Sequence, residues 1–173
     1  MSKLIYLFAV VYIVFSFVGC DQDIDFPYEG KDRIQFKHFS TVNNKRLYAD
    51  SVVFSFGLLN DTVRVDTAKI VMQYLGKGSE TERTYNVMIV LDSTTAKEGI
   101  HYAAFPQEQK FRPGKLTDTL RVVVYRDSLN KSFANPTNEC LYLRLQESED
   151  FDLGLRGGIS MRLLLNDYLS QPS

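Results

Sequence analysis

The sequence predicts an all-β protein, an antiparallel β-sandwich of about seven strands that follows an N-terminal signal helix. Two observations lead to this fold class. Short segments along most of the chain alternate apolar with polar residues, which is the pattern of strands with one buried face. Stretches rich in Gly, Pro and Asn separate these segments, and after the leader no amphipathic segment reaches the length of a stable helix, about twelve residues.

Residues 1–19 have the organisation of a secretory signal peptide. Lys3 gives a positive start, and in the apolar run from Leu4 to Val18 only Ser16 is polar. The run is shorter than the roughly 20 apolar residues of a membrane-spanning helix, and no basic stop-transfer flank follows it. These features predict a cleaved leader rather than an anchor.

The end of this run, Phe17-Val18-Gly19-Cys20, resembles the lipobox of bacterial lipoproteins. In that pattern signal peptidase cuts before the cysteine, here between Gly19 and Cys20, and the cysteine carries a diacylglycerol and a further acyl chain such as palmitate. Several acyl chains anchor a protein firmly, whereas one chain binds only marginally. Cys20 is therefore the predicted lipid-attachment residue; a plain signal peptide with an incidental cysteine is the alternative.

Residues 20–30, the lipidated cysteine and an acidic stretch, are predicted to tether the domain to the lipid. Asp21, Asp23 and Asp25 resemble the surface-export signals of some Gram-negative outer-membrane lipoproteins, and a solvated linker is the alternative. We expect the protein to be lipid-anchored at the outer membrane, on the cell surface rather than on the periplasmic face. The sandwich is predicted over residues 31–169, and residues 170–173 form a tail.

Within the sandwich, each predicted strand places alternate residues on one inward face. In chain order the inward residues are Ile34, Phe36 and His38; Val52, Phe54 and Phe56; Ala68, Ile70, Met72 and Tyr74; Tyr85, Val87, Ile89 and Leu91; Leu120, Val122 and Val124; Leu141, Leu143 and Leu145; Met161, Leu163 and Leu165. The stretches LGKGSE, RPGK, NKSFANPTN and LRGG are predicted turns. Pro113-Gly114 suits a type II turn, because glycine accepts its positive φ.

The stretch STTAKEGIHYAAFPQEQKFRPGKLTDTLRVVVYRD resembles a Calx-beta sandwich, in which Gly-x-Asp-Tyr precedes an aromatic, Pro-Gly and a Val-rich strand ending in acids. The matching residues are Gly99, Tyr102, Phe111, Pro113, Gly114 and Asp127. With the lipobox, DSVVFSF and FDLG, residues 20–169 resemble Calx-beta-like lipoproteins of unknown function found beside starch-utilisation-type glycan uptake systems. The resemblance implies an immunoglobulin-like sandwich, a role in glycan capture, and a further C-terminal region beyond Ser173.

The residue pattern predicts neither a metal nor a cofactor. Calx-beta domains can bind calcium through clustered carboxylates, but His101 replaces the Asp of Gly-x-Asp-Tyr and Arg126 precedes Asp127 at the strand end. A cation beside Arg126 is unfavourable. With Cys20 lipidated, Cys140 has no disulfide partner in the chain, and we expect it to be a small buried residue rather than an exposed thiol.

Catalysis and nucleic-acid binding are not supported by the sequence. It contains neither Ser-x-x-Lys nor Gly-x-Ser-x-Gly, and the run of Glu147, Glu149 and Asp150 is predicted to be a solvated loop. His38 is expected at the core or its rim, and His101 in a loop. The net charge of −1 gives no basic footprint for nucleic acid. The protein is therefore predicted not to be an enzyme.

The candidate ligand-binding residues are Tyr102 in the long loop, near Phe105, and Tyr142 beside Arg144 on an outward strand face. Exposed aromatic rings and planar polar side chains suit glycans; structural packing is the alternative, and the lack of Trp weakens the glycan case. We predict a lipid-anchored envelope module that assists glycan capture, with polysaccharide or outer-membrane uptake proteins as partners. The alternative is a structural or protein-docking module without its own glycan site.

Overall fold

The computed structural model describes residues 30–42 and 45–168, and for residues 40–48 only the backbone. The predicted signal peptide, the lipid-attachment residue Cys20 and the tail lie outside the described residues. Among the described residues, no helix is long and apolar enough to cross a membrane.

The strands, in chain order, are β1 (Arg33–Phe36), β2 (Phe39–Val42), β3 (Lys45–Tyr48), β4 (Ser51–Ser55), β5 (Val65–Leu75), β6 (Arg83–Ile89), β7 (Glu108–Phe111), β8 (Thr117–Tyr125), β9 (Glu139–Gln146), β10 (Asp152–Leu153) and β11 (Ser160–Asn166). Two short 3-10 turns, Leu91–Ser93 and Arg156–Gly158, are the only helical elements in the described part of the chain. The all-β prediction is confirmed.

Nine of these strands form the two sheets of a sandwich. One sheet has four strands in the order β10-β1-β5-β8, the other has five in the order β4-β11-β9-β6-β7, and β2 pairs with β3 as a separate hairpin. The pairs β1–β10 and β4–β11 are parallel, whereas the prediction was antiparallel throughout. The strands beyond the predicted seven, β2, β3, β7 and β10, are two to four residues long. A pattern of alternation is weak at that length, and of the strands this short the sequence predicts only β1.

The core lies between the sheets and consists of the inward residues of the longer strands. In β5, β8, β9 and β11 every predicted inward residue is buried: Ala68, Ile70, Met72, Tyr74, Leu120, Val122, Val124, Leu141, Leu143, Leu145, Met161, Leu163 and Leu165. The alternation is therefore a reliable guide wherever a strand spans the sandwich. Gly114 has a φ of +64°, as its predicted place in a turn requires.

Three predicted inward residues lie beyond the ends of their strands; Phe56, after β4, is nevertheless buried, whereas Leu91 and His38 are not. Leu91 is 77% exposed, because β6 ends at Ile89 and the following 3-10 turn redirects the chain. His38 is half-buried, because β1 ends at Phe36. Both corrections concern strand ends, where alternation continues in the sequence after the ladder has stopped.

At each end of the sandwich, a different set of polar side chains connects the two sheets. We call the end that carries Asp32, Tyr74 and Arg83 the clamped end. Here Arg83, at the start of β6, and the hydroxyl of Tyr74, on β5, both donate to Oδ2 of Asp32, the residue before β1. We call the opposite end, where Arg126 follows β8 and Asp167 follows β11, the groove end.

Candidate functional site: the groove end

A groove of about 800 Å³ opens at the groove end of the sandwich. Its walls come from three stretches that follow β4, β8 and β11, so it spans both sheets. The residues that line it are Gly57, Asp61, Arg64, Arg126, Lys131, Phe133, Asp167 and Tyr168. Five of them carry a formal charge, which makes this a polar groove with two aromatic rings.

Arg126 lies at the base of the groove and is only 4% exposed. Its Nε donates to Oδ2 of Asp167 at 2.8 Å, and its second terminal nitrogen donates to Asp61 at 3.1 Å. The first terminal nitrogen donates to the carbonyls of Asn60 at 2.7 Å and Val63 at 3.1 Å. The hydrogen bond to Asp167 raises the pKa of Arg126, so the guanidinium is a permanent cation. It holds three segments of the groove together.

Asp167 is the buried carboxylate of the groove, with a side chain 2% exposed. Its Oδ2 accepts from Arg126 and lies 3.8 Å from the ammonium of Lys131. Its Oδ1 is buried and accepts no hydrogen bond from any described residue. A buried polar atom without a partner is costly, so native folds rarely retain one that serves no purpose.

The loop after β8 forms the exposed rim and carries Lys131 and Phe133. Asn130 organises this loop, because its amide donates to the carbonyl of Asn135 and its Oδ1 accepts from the backbone of Ser132. The ring of Phe133 is 70% exposed. A large apolar ring displayed beside polar groups is a common contact surface for a ligand.

The wall opposite this rim is fixed by Tyr168. Its hydroxyl donates to the side chain of Asn138 at 2.8 Å, and its carbonyl accepts from the hydroxyl of Ser55 at 2.7 Å. Asn166 also donates to Asn138, at 2.8 Å. These hydrogen bonds fix the wall, whereas the rim is exposed.

The predicted ligand-binding residues do not lie in this groove. Tyr102 is 3% exposed and belongs to the core, where its ring centroid lies 6.3 Å from that of Phe105, so it offers no open ring face. Tyr142 and Arg144 share the outer face of β9, as expected from their spacing. The guanidinium of Arg162 covers the ring of Tyr142 at 5.1 Å, and Arg144 is exposed.

The two histidines and Cys140 have local structural surroundings. His101 is 7% exposed, and its Nδ1 accepts from the backbone of Lys97 at 2.9 Å, which closes the loop. Cys140 is half-buried, and burial raises the pKa of its thiol. Among the described residues, no group of three His, Cys, Asp or Glu side chains is arranged to hold a metal ion.

Sequence reasoning missed the groove, although a signal for its two central residues exists. The inward register of β8 runs through Leu120, Val122 and Val124, and the next inward position is Arg126. In β11 the same step after Leu165 reaches Asp167. An apolar stripe that ends in a charged inward residue therefore indicates a buried ion pair. Lys131 and Phe133 lie in a loop without such periodicity.

The two packed sheets define an immunoglobulin-like β-sandwich. The chain belongs to the family described as Domain of unknown function (DUF4843), whose model matches residues 28–173. No curated protein matches the sequence.

Three of the solved structures that are similar to this chain illustrate the likeness in fold. The apo-form Calx CBD1 domain has a TM-score of 0.50 at 16% identity, over 80% of this chain and 98% of that one. A "putative carbohydrate binding protein" from Bacteroides ovatus ATCC 8483 has a TM-score of 0.46 at 18% identity, over 79% of this chain and 37% of that one. A two-domain protein with unknown function from Bacteroides fragilis NCTC 9343 has a TM-score of 0.42 at 16% identity, over 79% of this chain and 45% of that one. At such identities the likeness concerns the fold.

Proposed function

We propose that this protein is a non-catalytic binding module, anchored to the outer membrane through a lipid on Cys20, whose groove takes a saccharide during glycan capture at the cell surface. The observation that carries this proposal is the buried Oδ1 of Asp167, which accepts no hydrogen bond from the described residues. A sugar hydroxyl is a donor of suitable size and can satisfy this acceptor once binding turns the carboxylate of Asp167 toward the groove, because the oxygen is otherwise buried beneath the groove surface.

The other groups in the groove complement a saccharide. The exposed ring of Phe133 offers a flat apolar face, which suits the C–H surface of a pyranose. The ammonium of Lys131, 56% exposed, donates to oxygen atoms of a ligand from the rim. Acceptor, donor and ring thus surround one volume, which is the common composition of a small-ligand site.

The second candidate, a docking module, has a surface of its own beside the groove. Val65 and Ile100 are 53% and 47% exposed and line a shallow depression with Tyr125. Exposed apolar side chains next to one another suit a protein partner. The partner class is the outer-membrane uptake proteins expected from the family resemblance.

Calorimetric titration of the full chain with a polysaccharide panel, in a detergent without sugar groups, tests the proposal. We expect saturable binding to one glycan class and a loss of affinity of about tenfold in Phe133→Ala, because the stacking face is removed. Leu116→Ala is the matched control, since Leu116 is 56% exposed but lies at the clamped end. It should bind as the wild type does.

Two outcomes count against the saccharide. A folded chain that binds no member of the panel contradicts it and favours docking, for which Val65→Lys should then weaken association with the uptake proteins. Equal affinity of Phe133→Ala and wild type contradicts the assignment of the groove, even if a glycan binds.

A further inference from the structure

A second cleft, of about 470 Å³, lies away from the groove along one side of the sandwich. It opens between β7 and β8, each of which is the edge strand of its sheet. Six of the residues that line it are Tyr85, Pro106, Gln109, Arg112, Asp118 and Arg121. No residue of the groove takes part.

The path of the chain explains the opening. Residues 101–103 run beside the edge of β8, where Tyr125 donates to the carbonyl of His101 and Ala103 donates to the carbonyl of Val123, both at 2.9 Å. The chain then crosses to the other sheet, where the carbonyl of Gln107 accepts from Val87. The edge of β8 is left uncovered at Arg121, where the crossing segment departs.

The uncovered edge presents a backbone donor to the cleft. In an antiparallel ladder alternate residues direct their N–H and C=O groups to the same side. Val123 and Tyr125 direct theirs away from β5, so Arg121, two residues before Val123, does the same. Its N–H has no partner among the described residues.

The side chain of Arg121 adds a cation at the same place. It is exposed, and its only bond within the described part of the chain is a long one of 3.5 Å to the carbonyl of Thr119. Asp118, an acid of the lining, is ion-paired with Arg112: its Oδ1 accepts from the guanidinium Nε and its Oδ2 from the backbone N–H of that residue, both at 3.0 Å. The guanidinium of Arg121 therefore remains available.

Tyr85 supplies a third donor from the floor of the cleft. The residue is 2% exposed, yet its hydroxyl makes no hydrogen bond to any described residue. Burial, together with the charge of Asp118, raises the pKa of Tyr85, so the hydroxyl stays protonated and donates. The charge of Arg121 acts on the same hydroxyl in the opposite direction, which is consistent with the two groups facing one cleft.

We propose that this cleft binds an oxyanion, such as a carboxylate, sulfate or phosphate group, between the backbone and guanidinium of Arg121 and the hydroxyl of Tyr85. The backbone and guanidinium of Arg121 and the hydroxyl of Tyr85 are three donors, one of them charged, in the lining of one cleft. Such a set of donors suits an oxyanion. The lining has three cationic side chains, Lys110, Arg112 and Arg121, and two acids, Glu108 and Asp118. Lys110 pairs with Glu82 and Arg112 with Asp118, so Arg121 is the cation of the lining without a salt bridge among the described residues.

The test is titration of the full chain in uncharged detergent with inorganic phosphate at constant ionic strength, followed through the backbone amide signal of Arg121. We expect saturable shifts, about tenfold weaker binding in Arg121→Gln and about fivefold weaker binding in Tyr85→Phe. Tyr85→Phe removes only the hydroxyl and keeps the ring against Phe111, whose centroid is 6.2 Å away.

Lys69→Gln is the matched control. Lys69 is directly opposite Arg121 on β5 and equally charged, but it does not line the cleft. The Lys69→Gln variant should bind phosphate with the same affinity as the wild type. Absence of saturation, or an equal loss in Lys69→Gln and Arg121→Gln, overturns the proposal, because the effect is then one of general surface charge.

Two further titrations identify the source of the oxyanion. An oligouronate tests an acidic saccharide, and phosphatidylglycerol vesicles compared with phosphatidylcholine vesicles test a lipid headgroup. Dependence on Arg121 and Tyr85 in either titration supports the site and names its ligand. Phe133→Ala should leave all three titrations unchanged, so a failure of the groove and a failure of this cleft are distinguishable.

Discussion

Both ends of the sandwich are closed by an aspartate–arginine pair that joins one sheet to the other, but the two pairs use their carboxylates differently. At the clamped end, Oδ2 of Asp32 accepts from Tyr74 at 2.6 Å and from Arg83, and Oδ1 accepts from the backbone of Lys77 at 3.3 Å. At the groove end, Asp167 uses one oxygen for Arg126, and its buried Oδ1 has no partner among the described residues.

This difference distinguishes the structural closure at the clamped end from the proposed binding site at the groove end. Every acceptor of Asp32 is used by the fold, and the guanidinium of Arg83 also packs over the rings of Tyr74 and Phe151, at 5.4 and 5.7 Å. The groove end keeps an unused acceptor beside an open volume and an exposed ring. Under the proposed function the two pairs have different roles, and the use of the second carboxylate oxygen distinguishes them.

The largest expected effect is loss of the clamp. Asp32→Ala leaves the mostly buried Arg83 and Tyr74 without their acceptor, and we expect the free energy of unfolding to fall by about 3 kcal/mol. Asp61→Ala at the groove end removes a fully exposed carboxylate and should change stability little. Urea unfolding of both variants provides the measurement. Equal losses of unfolding free energy in the two variants would mean that the fold depends no more on Asp32 than on Asp61.

Replacing a glycine by alanine should destabilise each end of the sandwich for a different physical reason. A Cβ on Gly76 would lie 1.8 Å from Oδ1 of Asp32, so Gly76→Ala should displace the clamp and cost about 2 kcal/mol. Gly99, near the groove end, has open space around it but a φ of +73°, so Gly99→Ala should cost about 1 kcal/mol. Thermal unfolding compares them. Gly99→Asn should recover part of the loss, since Asn tolerates positive φ.

Acid should weaken the clamped end. Burial raises the pKa of Asp32, but hydrogen bonds from Tyr74 and Arg83 outweigh it and bring the pKa below its usual value. A depressed carboxyl pKa adds stability above the unfolded-state pKa of about 3.9, and this stability is lost as the pH falls through the folded-state pKa. Stability measured between pH 7 and pH 3 should therefore fall below about pH 4, and less in Asp32→Asn. An equal fall in that variant would exclude Asp32 as a source of acid sensitivity.

The sequence predicts the strands that cross the sandwich and little of what lies at its ends. Inward positions such as Ile70 and Leu143 follow from alternation alone, because each long strand has one buried face. Short strands such as β10, two residues long, carry no period, and their pairing depends on the rest of the fold. The candidate site could be predicted from the sequence only in part. Arg126 continues an inward register, whereas Phe133 reaches the groove through a loop whose course depends on the hydrogen bonds of Asn130.

The same reasoning explains why the structure places the predicted aromatic binding residues outside the groove. The sequence places Tyr102 in a long loop, which predicts an exposed ring, but that loop pairs with the edge of β8 and carries the ring into the core. Tyr142 and Arg144 remain predicted contacts on the outer face of β9. Exposure of a loop residue cannot be read from the sequence when the loop docks on a strand edge.

The central claim is that the groove end reserves an acceptor for its ligand while the clamped end does not, and paired amide substitutions test it most directly. Asp32→Asn must lose an acceptor that the fold uses, whereas Asp167→Asn can keep its oxygen toward Arg126 and turn its amide to the other side. We predict that Asp167→Asn loses less stability than Asp32→Asn in urea unfolding, and that it alone loses saccharide affinity. A larger loss of stability in Asp167→Asn with unchanged saccharide affinity would contradict the account.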